Sequence, residues 1–218
     1  MTDALRAAAE TMKTVRERCV WSQRITHRDL VPYLIEESHE VIDAVEDGTR
    51  ADLKEELGDL LWQVLFHAAI AAQDPDDPFD IDDVAEMLTA KMVRRHPHVF
   101  GDAVARTPEE VLVHWNAAKA AEKRERRSVL DGVPAGMPGL ARAQKVLGRA
   151  ASAGAGDDVA LAVHDAAEAG AAPETEEELG DLLLMLTATA RANGWDAERA
   201  LRERLRLLEA DVRAAEAR

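Results

Sequence analysis

The stretch from residue 50 to residue 72 constrains the fold more than any other. Placed on a helix, Leu57, Leu60, Leu61, Trp62, Val64, Leu65 and Phe66 take up nearly the whole circumference, and one narrow seam stays polar. That seam is Asp52, Glu56, Asp59, Gln63 and His67, whose spacings of 4, 3, 4 and 4 residues keep them on one side of a 3.6-residue helix. A helix apolar on so many faces needs several neighbours to cover it. It is therefore expected at the centre of a helical bundle, and a homodimer is the expected way of completing the cover that a lone hairpin cannot give.

The rest of the chain supports an all-α reading. Alanine, leucine, glutamate and arginine dominate, aromatics are 4%, and no stretch alternates apolar and polar residues long enough to make a strand. Periodicity predicts helices over about 3–18, 30–46, 50–72, 81–95 and 108–127, with an irregular polar connection over 19–29. Asp47-Gly48-Thr49 supplies a turn short enough to fold the second and third helices antiparallel. Pro75 and Pro78 break the pattern, Pro97 stops the fourth helix, and Thr107-Pro108-Glu109-Glu110 opens the fifth. Residues 128–139, with Gly132, Pro134, Gly136, Pro138 and Gly139, read as a linker between a first domain, 1–127, and a second, 140–218. The second half repeats Glu55-Glu56-Leu57-Gly58-Asp59-Leu60-Leu61 as Glu177-Glu178-Leu179-Gly180-Asp181-Leu182-Leu183, at an offset of 122 residues.

Charge narrows the partners. A net charge of −15, from 42 acidic and 27 basic residues, would repel a nucleic-acid polymer, so no such partner is expected. No run of 18 apolar residues suggests a membrane span. The single Cys19 cannot form an internal disulfide and no secretory leader is evident, so a cytoplasmic location is expected. A small phosphate compound remains compatible with this field if a cation cluster and a metal ion offset it.

The second helix carries its own anomaly. Leu30, Tyr33, Leu34, Val41, Ala44 and Val45 make one apolar stripe, with Glu37 in its middle and Glu40 at its edge. A carboxylate aimed at a core is unfavourable unless something positive meets it. About a turn near residue 48, Glu40 and Glu56 are each eight residues away, which brings Glu37 and Glu40 to the heights of Glu56 and Asp59. Four acids then converge, and a divalent cation converts their repulsion into a ligand set. Oxygen-only ligation suits magnesium, with manganese next by the same chemistry, and magnesium typically bridges to phosphates. Glutamate pairs three residues apart are usually solvated helix faces, but that account does not explain two pairs on apolar stripes, symmetric about a turn. A di-iron bundle needs a Glu-x-x-His motif on each of two helices; Glu36 and His39 supply that spacing only once.

These residues carry a family resemblance. The run Glu36-Glu37-Ser38-His39-Glu40, with Glu55-Glu56-Leu57-Gly58-Asp59, resembles the EExxE and ExxD pair of the MazG-type nucleoside triphosphate pyrophosphohydrolases. Cys19-Val20-Trp21, Thr26-His27, Tyr33-Leu34, Gln63-Val64-Leu65-Phe66-His67 and the specific string Lys91-Met92-Val93-Arg94-Arg95-His96-Pro97-His98-Val99-Phe100 agree with it. The resemblance implies an all-α, MazG-like helical bundle related to the dimeric dUTP hydrolases. It also implies hydrolysis of nucleoside triphosphates to the monophosphate and pyrophosphate as nucleotide-pool house-cleaning, with Mg²⁺ held by Glu37, Glu40, Glu56 and Asp59. The family usually has proline, an acid and glutamine where this chain has Val20, Ser22 and Ile25. Those departures lie in the irregular connection and bear on base or ribose contacts.

Other residues add to the site. Lys91 lies on the apolar stripe of Val84, Met87 and Leu88, with Arg94 and Arg95 one turn later and His96 beyond them. Cations offsetting a helix dipole would not include Lys91 on the inner stripe, so the group is expected to bind phosphate oxygens. Glu36, the free acid nearest the cluster, is the expected general base. Trp21 and His27 are expected to contact the nucleoside, Trp21 being equally suited to anchor the core. A non-catalytic module whose acidic seam pairs with a basic partner is the reading from another class; a dUTP or modified-nucleotide hydrolase keeps the chemistry and changes the pocket. The repeat is expected to pack through Leu179, Leu182, Leu183 and Leu186 and to lack chemistry. At its offset, Glu37 and Glu40 become Val159 and Ala162; of the shifted pair Asp165 and Glu168, before a turn near Ala171, Glu168 is about four residues out of step with Glu178 and Asp165 alone is level with it.

Overall fold

A computed structural model describes residues 3–122, 128–152 and 173–216. The expected end of the fifth helix, together with Val159, Ala162, Asp165, Glu168 and the turn near Ala171, lies outside the described residues. Among those described, every regular element is helical and there is no strand. Contacts divide the chain into two compact units, Met1–Glu122 and Lys123–Arg218.

The first unit begins with α1 (Ala4–Arg18), capped by Asp3, whose carboxylate accepts from the Arg6 amide at 3.2 Å. The connection that follows holds a single 3₁₀ turn, Ser22–Arg24, and then Asp29, whose carboxylate accepts from the Thr26 amide and hydroxyl at 3.0 and 2.7 Å. Next come α2 (Val31–Glu46) and α3 (Arg50–Ala71), the most extensively packed helix pair. Thr49 and Asp52 form a reciprocal capping box at the start of α3, so this helix begins just after the turn. Gly48 closes the hairpin because a Cβ there would lie 2.7 Å from Ala44 Cα and 2.8 Å from its carbonyl oxygen.

Beyond α3 lie α4 (Ile81–Arg95), α5 (Pro97–Phe100) and α6 (Pro108–Ala121). Helix α4 stops at Arg95, before Pro97, as the sequence predicted, and the chain restarts at Pro97 as the single turn α5, with proline at the helix start, where its missing N–H costs nothing. The core sits at the far end of α3, where Met12, Leu30, Leu65 and Phe66 are buried and Leu61, Trp62, Ile70 and Ile81 pack round them. Burial of α3 is accordingly one-ended. Leu57 and Val64 stay 50% and 42% exposed, and on α2 Tyr33 and Val45, expected on the inner stripe, are exposed too, because α1 and α4 reach only part of the pair.

The second unit contains α7 (Gly139–Ser152), α8 (Glu176–Ala192) and α9 (Ala197–Glu216). Gly194 adopts φ +72° and turns the chain from α8 into α9. Gln144 ties that turn to α7, donating to the Trp195 carbonyl at 2.8 Å and accepting from the Ala197 amide at 3.1 Å. Leu147 and Thr187 are the buried residues here, whereas Leu179, Leu183 and Leu186, expected as core, are exposed. Leu183 lines an open cavity between α7, α8 and α9 with Leu140, Ala143 and Leu201, so these helices do not close over it.

Gly48→Ala should destabilise the protein by about 1–3 kcal/mol, the usual range for forcing extra atoms into a packed site, as measured by denaturant unfolding. Unchanged stability would show that the turn relaxes away from Ala44.

Candidate metal centre

The hairpin decides which acids meet. Helix α2 presents Glu36, Glu37 and Glu40, and α3 presents Glu56, Asp59, Gln63 and His67 from the opposite direction. Glu37, Glu56 and Asp59 each bring one carboxylate oxygen to within 4.8 Å of the others. Glu40 stands outside this triple but beside it, close enough to repel both Glu37 and Glu56. Glu36 is exposed and is not one of the three clustered carboxylates.

The electrostatics follow from that crowding. Burial raises the pKa of the Glu37 carboxyl, and repulsion by Asp59 and Glu40 adds to the effect; a hydrogen bond from the Gln63 amide, Nε2 to Oε1 at 3.3 Å, acts against it. Glu56 is raised likewise, first by desolvation and then by Glu40 and Asp59. Among the described residues no lysine or arginine pairs with Glu37, Glu40, Glu56 or Asp59. Three hard oxygen donors, close together and without a positive partner, fit a divalent ion.

The seam continues away from the acids. Gln63 is 5% exposed, and its Oε1 has no hydrogen-bond partner; His67 Nε2, one turn further, is also buried without one. His67 Nδ1 lies 2.8 Å from His27 Nδ1, and the two rings stack at 5.1 Å, 4° from parallel. Burial and the neighbouring His27 depress the His67 pKa. Trp21 packs edge-on against Tyr33 and Phe66 at 6.2 and 6.1 Å, with half its surface open. Trp21 and His27 thus both dock on the seam's far end, about 12 Å along α3 from Asp59 at 1.5 Å per residue.

Arg16 holds that connection in place. Buried to 7% exposure, it donates through Nη1 to the carbonyls of Ser22 and Ile25 and through Nε to Gln73 Oε1 at 3.0 Å. Nothing in the sequence marked it out, since its partners are set by tertiary packing. Gln63 and His67 were visible as members of the seam, but their spacing gave them no individual role.

The basic run lies at the end of α4 and has a partner of its own. Arg95 grips Glu122 through Nε and Nη2 at 3.1 and 2.6 Å, and Arg94 reaches the other oxygen at 3.1 Å. Arg95 is buried, with its guanidinium 5.0 Å from the centre of the Trp115 ring. Its charge and that of Arg94 hold the Glu122 pKa down. Lys91 is half-buried, and His96 donates from Nδ1 to the Met92 carbonyl at 2.7 Å beside Trp115. Among the described residues no hydrogen bond or ion pair joins this group to the carboxylates.

In the repeat, Glu178 has become a cap. Its amide donates to Thr175 at 3.2 Å while its carboxylate accepts from the Glu174 amide at 2.7 Å.

A model of the MazG nucleotide pyrophosphohydrolase domain matches residues 25–100, a span that includes the four acids, Gln63, His67 and the basic run. The chain is 34% identical over 216 residues to the nucleoside triphosphate pyrophosphohydrolase of Escherichia coli (strain K12), covering 92% of this chain and 81% of that protein. It is 37% identical over 199 residues to the nucleoside triphosphate pyrophosphohydrolase/pyrophosphatase MazG of Thermotoga maritima, covering 87% and 76%. An uncharacterised 26.1 kDa protein from the blaB 3′ region of Streptomyces cacaoi is 49% identical over 207 residues, 95% of this chain and 80% of that one. Likeness over most of both chains, with the clustered carboxylates inside the matched domain, makes this chain a member of the MazG family of nucleotide pyrophosphohydrolases.

Proposed function

We propose that Glu37, Glu40, Glu56 and Asp59 hold Mg²⁺ for the reaction of this family member, the hydrolysis of a nucleoside triphosphate to the monophosphate and pyrophosphate. The observation that carries the reading is the meeting of three carboxylate oxygens within 4.8 Å with no cationic side chain beside them. Glu40, beside Glu37, is the fourth ligand. A divalent ion bound there supplies charge neutralisation on the departing pyrophosphate and a lowered water pKa, and Mn²⁺ serves by the same ligand chemistry.

The remaining roles belong to the chain itself. Glu36, exposed beside Glu37, takes the proton of the attacking water. Lys91, Arg94 and His96 receive phosphate oxygens, and Arg95, held between Glu122 and Trp115, keeps that helix end in place for them. The open face of Trp21 stacks on the base, with His27 alongside. Residues 1–127 form the catalytic domain, 128–139 the linker and 140–218 a degenerate repeat. A second copy of the chain covers the exposed Leu57, Val64, Tyr33 and Val45. Among the described residues no helix is long and apolar enough to cross a membrane.

Glu37→Ala and Asp59→Ala should each lower kcat/KM by at least about 100-fold, more than the loss of an outer-shell partner usually costs, while the protein stays folded. Near wild-type turnover in either variant, measured as Mg²⁺-dependent pyrophosphate release from a mixture of nucleoside triphosphates, would remove these residues from the site.

The raised pKa values of Glu37 and Glu56 set a second expectation. A carboxyl whose folded pKa lies above its unfolded value contributes stability that is present below the ordinary carboxylate range and is lost as pH rises through the folded value. Without metal the cluster should therefore weaken the fold towards neutral pH, and Mg²⁺ should restore it. Calorimetry should show a larger Mg²⁺-induced rise in Tm at about pH 8 than at about pH 5, where protons compete for the same oxygens. An equal or reversed difference contradicts the assignment.

The third expectation separates the two copies of the repeated string. Glu56→Gln should abolish turnover, while Glu178→Gln should retain it and lose only a helix cap. Residual hydrolysis in Glu56→Gln that disappears on adding Glu178→Gln would assign a second active site to the repeat.

A further inference from the structure

Gln63 is in an unfavourable position for which the fold alone gives no reason. It lies on the buried side of α3 at 5% exposure, one turn beyond Asp59, between the carboxylates and the apolar core that starts at Leu65 and Phe66. Its Nε2 donates to Glu37 Oε1 at 3.3 Å, and its Oε1 is buried with no partner. Rotating the amide would not help, because the two oxygens would then face each other and the NH₂ would be stranded instead. Leaving a buried carbonyl unmade is costly, and an apolar side chain of similar shape would avoid that cost. The one thing the amide gains is its hold on Glu37.

We infer that Gln63 is a positioning residue for the metal site: its amide holds the Glu37 carboxylate turned towards Glu56 and Asp59, at the expense of an unsatisfied oxygen in the core. The inference rests on the reading of Glu37 as a metal ligand. It extends that site to a residue that only touches another side chain. Partners of this kind fix the orientation of ligating groups, and losing one typically weakens metal affinity by 10- to 100-fold.

The test uses the full chain in three forms, wild type, Gln63→Met and Glu37→Gln, with Mn²⁺ alone as the probe. Mn²⁺ affinity is read by electron paramagnetic resonance, and Tm is measured in the absence of metal. Gln63→Met should bind Mn²⁺ roughly 10-fold more weakly, yet melt at or above the wild-type temperature, since the buried orphan oxygen has gone. A purely structural glutamine would lose Tm. Mn²⁺ affinity within about twofold of wild type, against the tenfold expected, or a fall in affinity accompanied by a clear drop in Tm, overturns the inference while leaving the metal site intact. Wild-type affinity in Glu37→Gln overturns the metal-site reading itself, and the role of Gln63 with it.

Discussion

Mutual repulsion among the carboxylates between α2 and α3 is the constraint on which the rest of the first unit depends. Glu37, Glu56 and Asp59 are brought within 4.8 Å by a hairpin that, by charge alone, should open. It is held shut from both ends. At the turn, Gly48 lets the chain pass against Ala44, and the box of Thr49 and Asp52 starts α3 at once. At the other end Leu30 from the start of α2, Met12 from α1 and Leu65 and Phe66 from α3 close an apolar cluster. The acids lie between two fixed points, and the cation proposed for them would relieve their repulsion without movement of the helices.

How much of this was legible in the sequence depends on the range of the interaction. Helix limits were readable because local signals act within a few residues: Thr107 caps the helix that its own pattern predicted, and Thr49 and Asp80, not singled out as caps in the sequence, cap helices whose starts periodicity had placed at about 50 and 81. The seam was readable because helical periodicity fixes angle and height. Periodicity does not fix lateral position, and so Glu40, expected level with Glu56, stands beside the triple and not inside it. Interactions between distant segments were invisible. Arg16 finds Gln73 at a separation of 57 residues, and Arg95 finds Glu122 at 27, through packing that no local pattern encodes. For the same reason Tyr33 and Val45 looked like core: an apolar stripe shows what a helix would bury, and the neighbours decide how much of it they cover.

The repeated string shows how the same residues acquire different work from their place in a helix. Glu56 stands six residues after the first residue of α3, Arg50, and its cap duties fall to Asp52. Glu178 stands two residues after the first residue of α8, Glu176, within the turn whose amides have no helical acceptor. A carboxylate in that first turn is drawn to the exposed N–H groups and the positive end of the dipole, and Glu178 accordingly accepts from Glu174. A helix that starts one turn later relative to its sequence converts a side chain free to face a neighbour into one bound to its own backbone. Identity over seven residues therefore leaves Glu56 facing the acids of α2 and Glu178 bonded to the backbone before its own helix.

Exposure beside the acids bears on how strongly they would hold a cation. Leu57 and Val64 flank the seam on α3 and remain 50% and 42% exposed, so water has access to the cluster from that side. Two unit charges 4 Å apart interact by about 1 kcal/mol in bulk water and about 4 kcal/mol at the effective dielectric constant near a protein surface. Covering these leucine and valine side chains would thus strengthen every carboxylate–cation attraction in the cluster as well as bury apolar area. The second copy proposed for this face would therefore act on the chemistry as well as on stability. It would lower the local dielectric around charges it never touches. Metal affinity and association would then be coupled, each favouring the other by the same free energy.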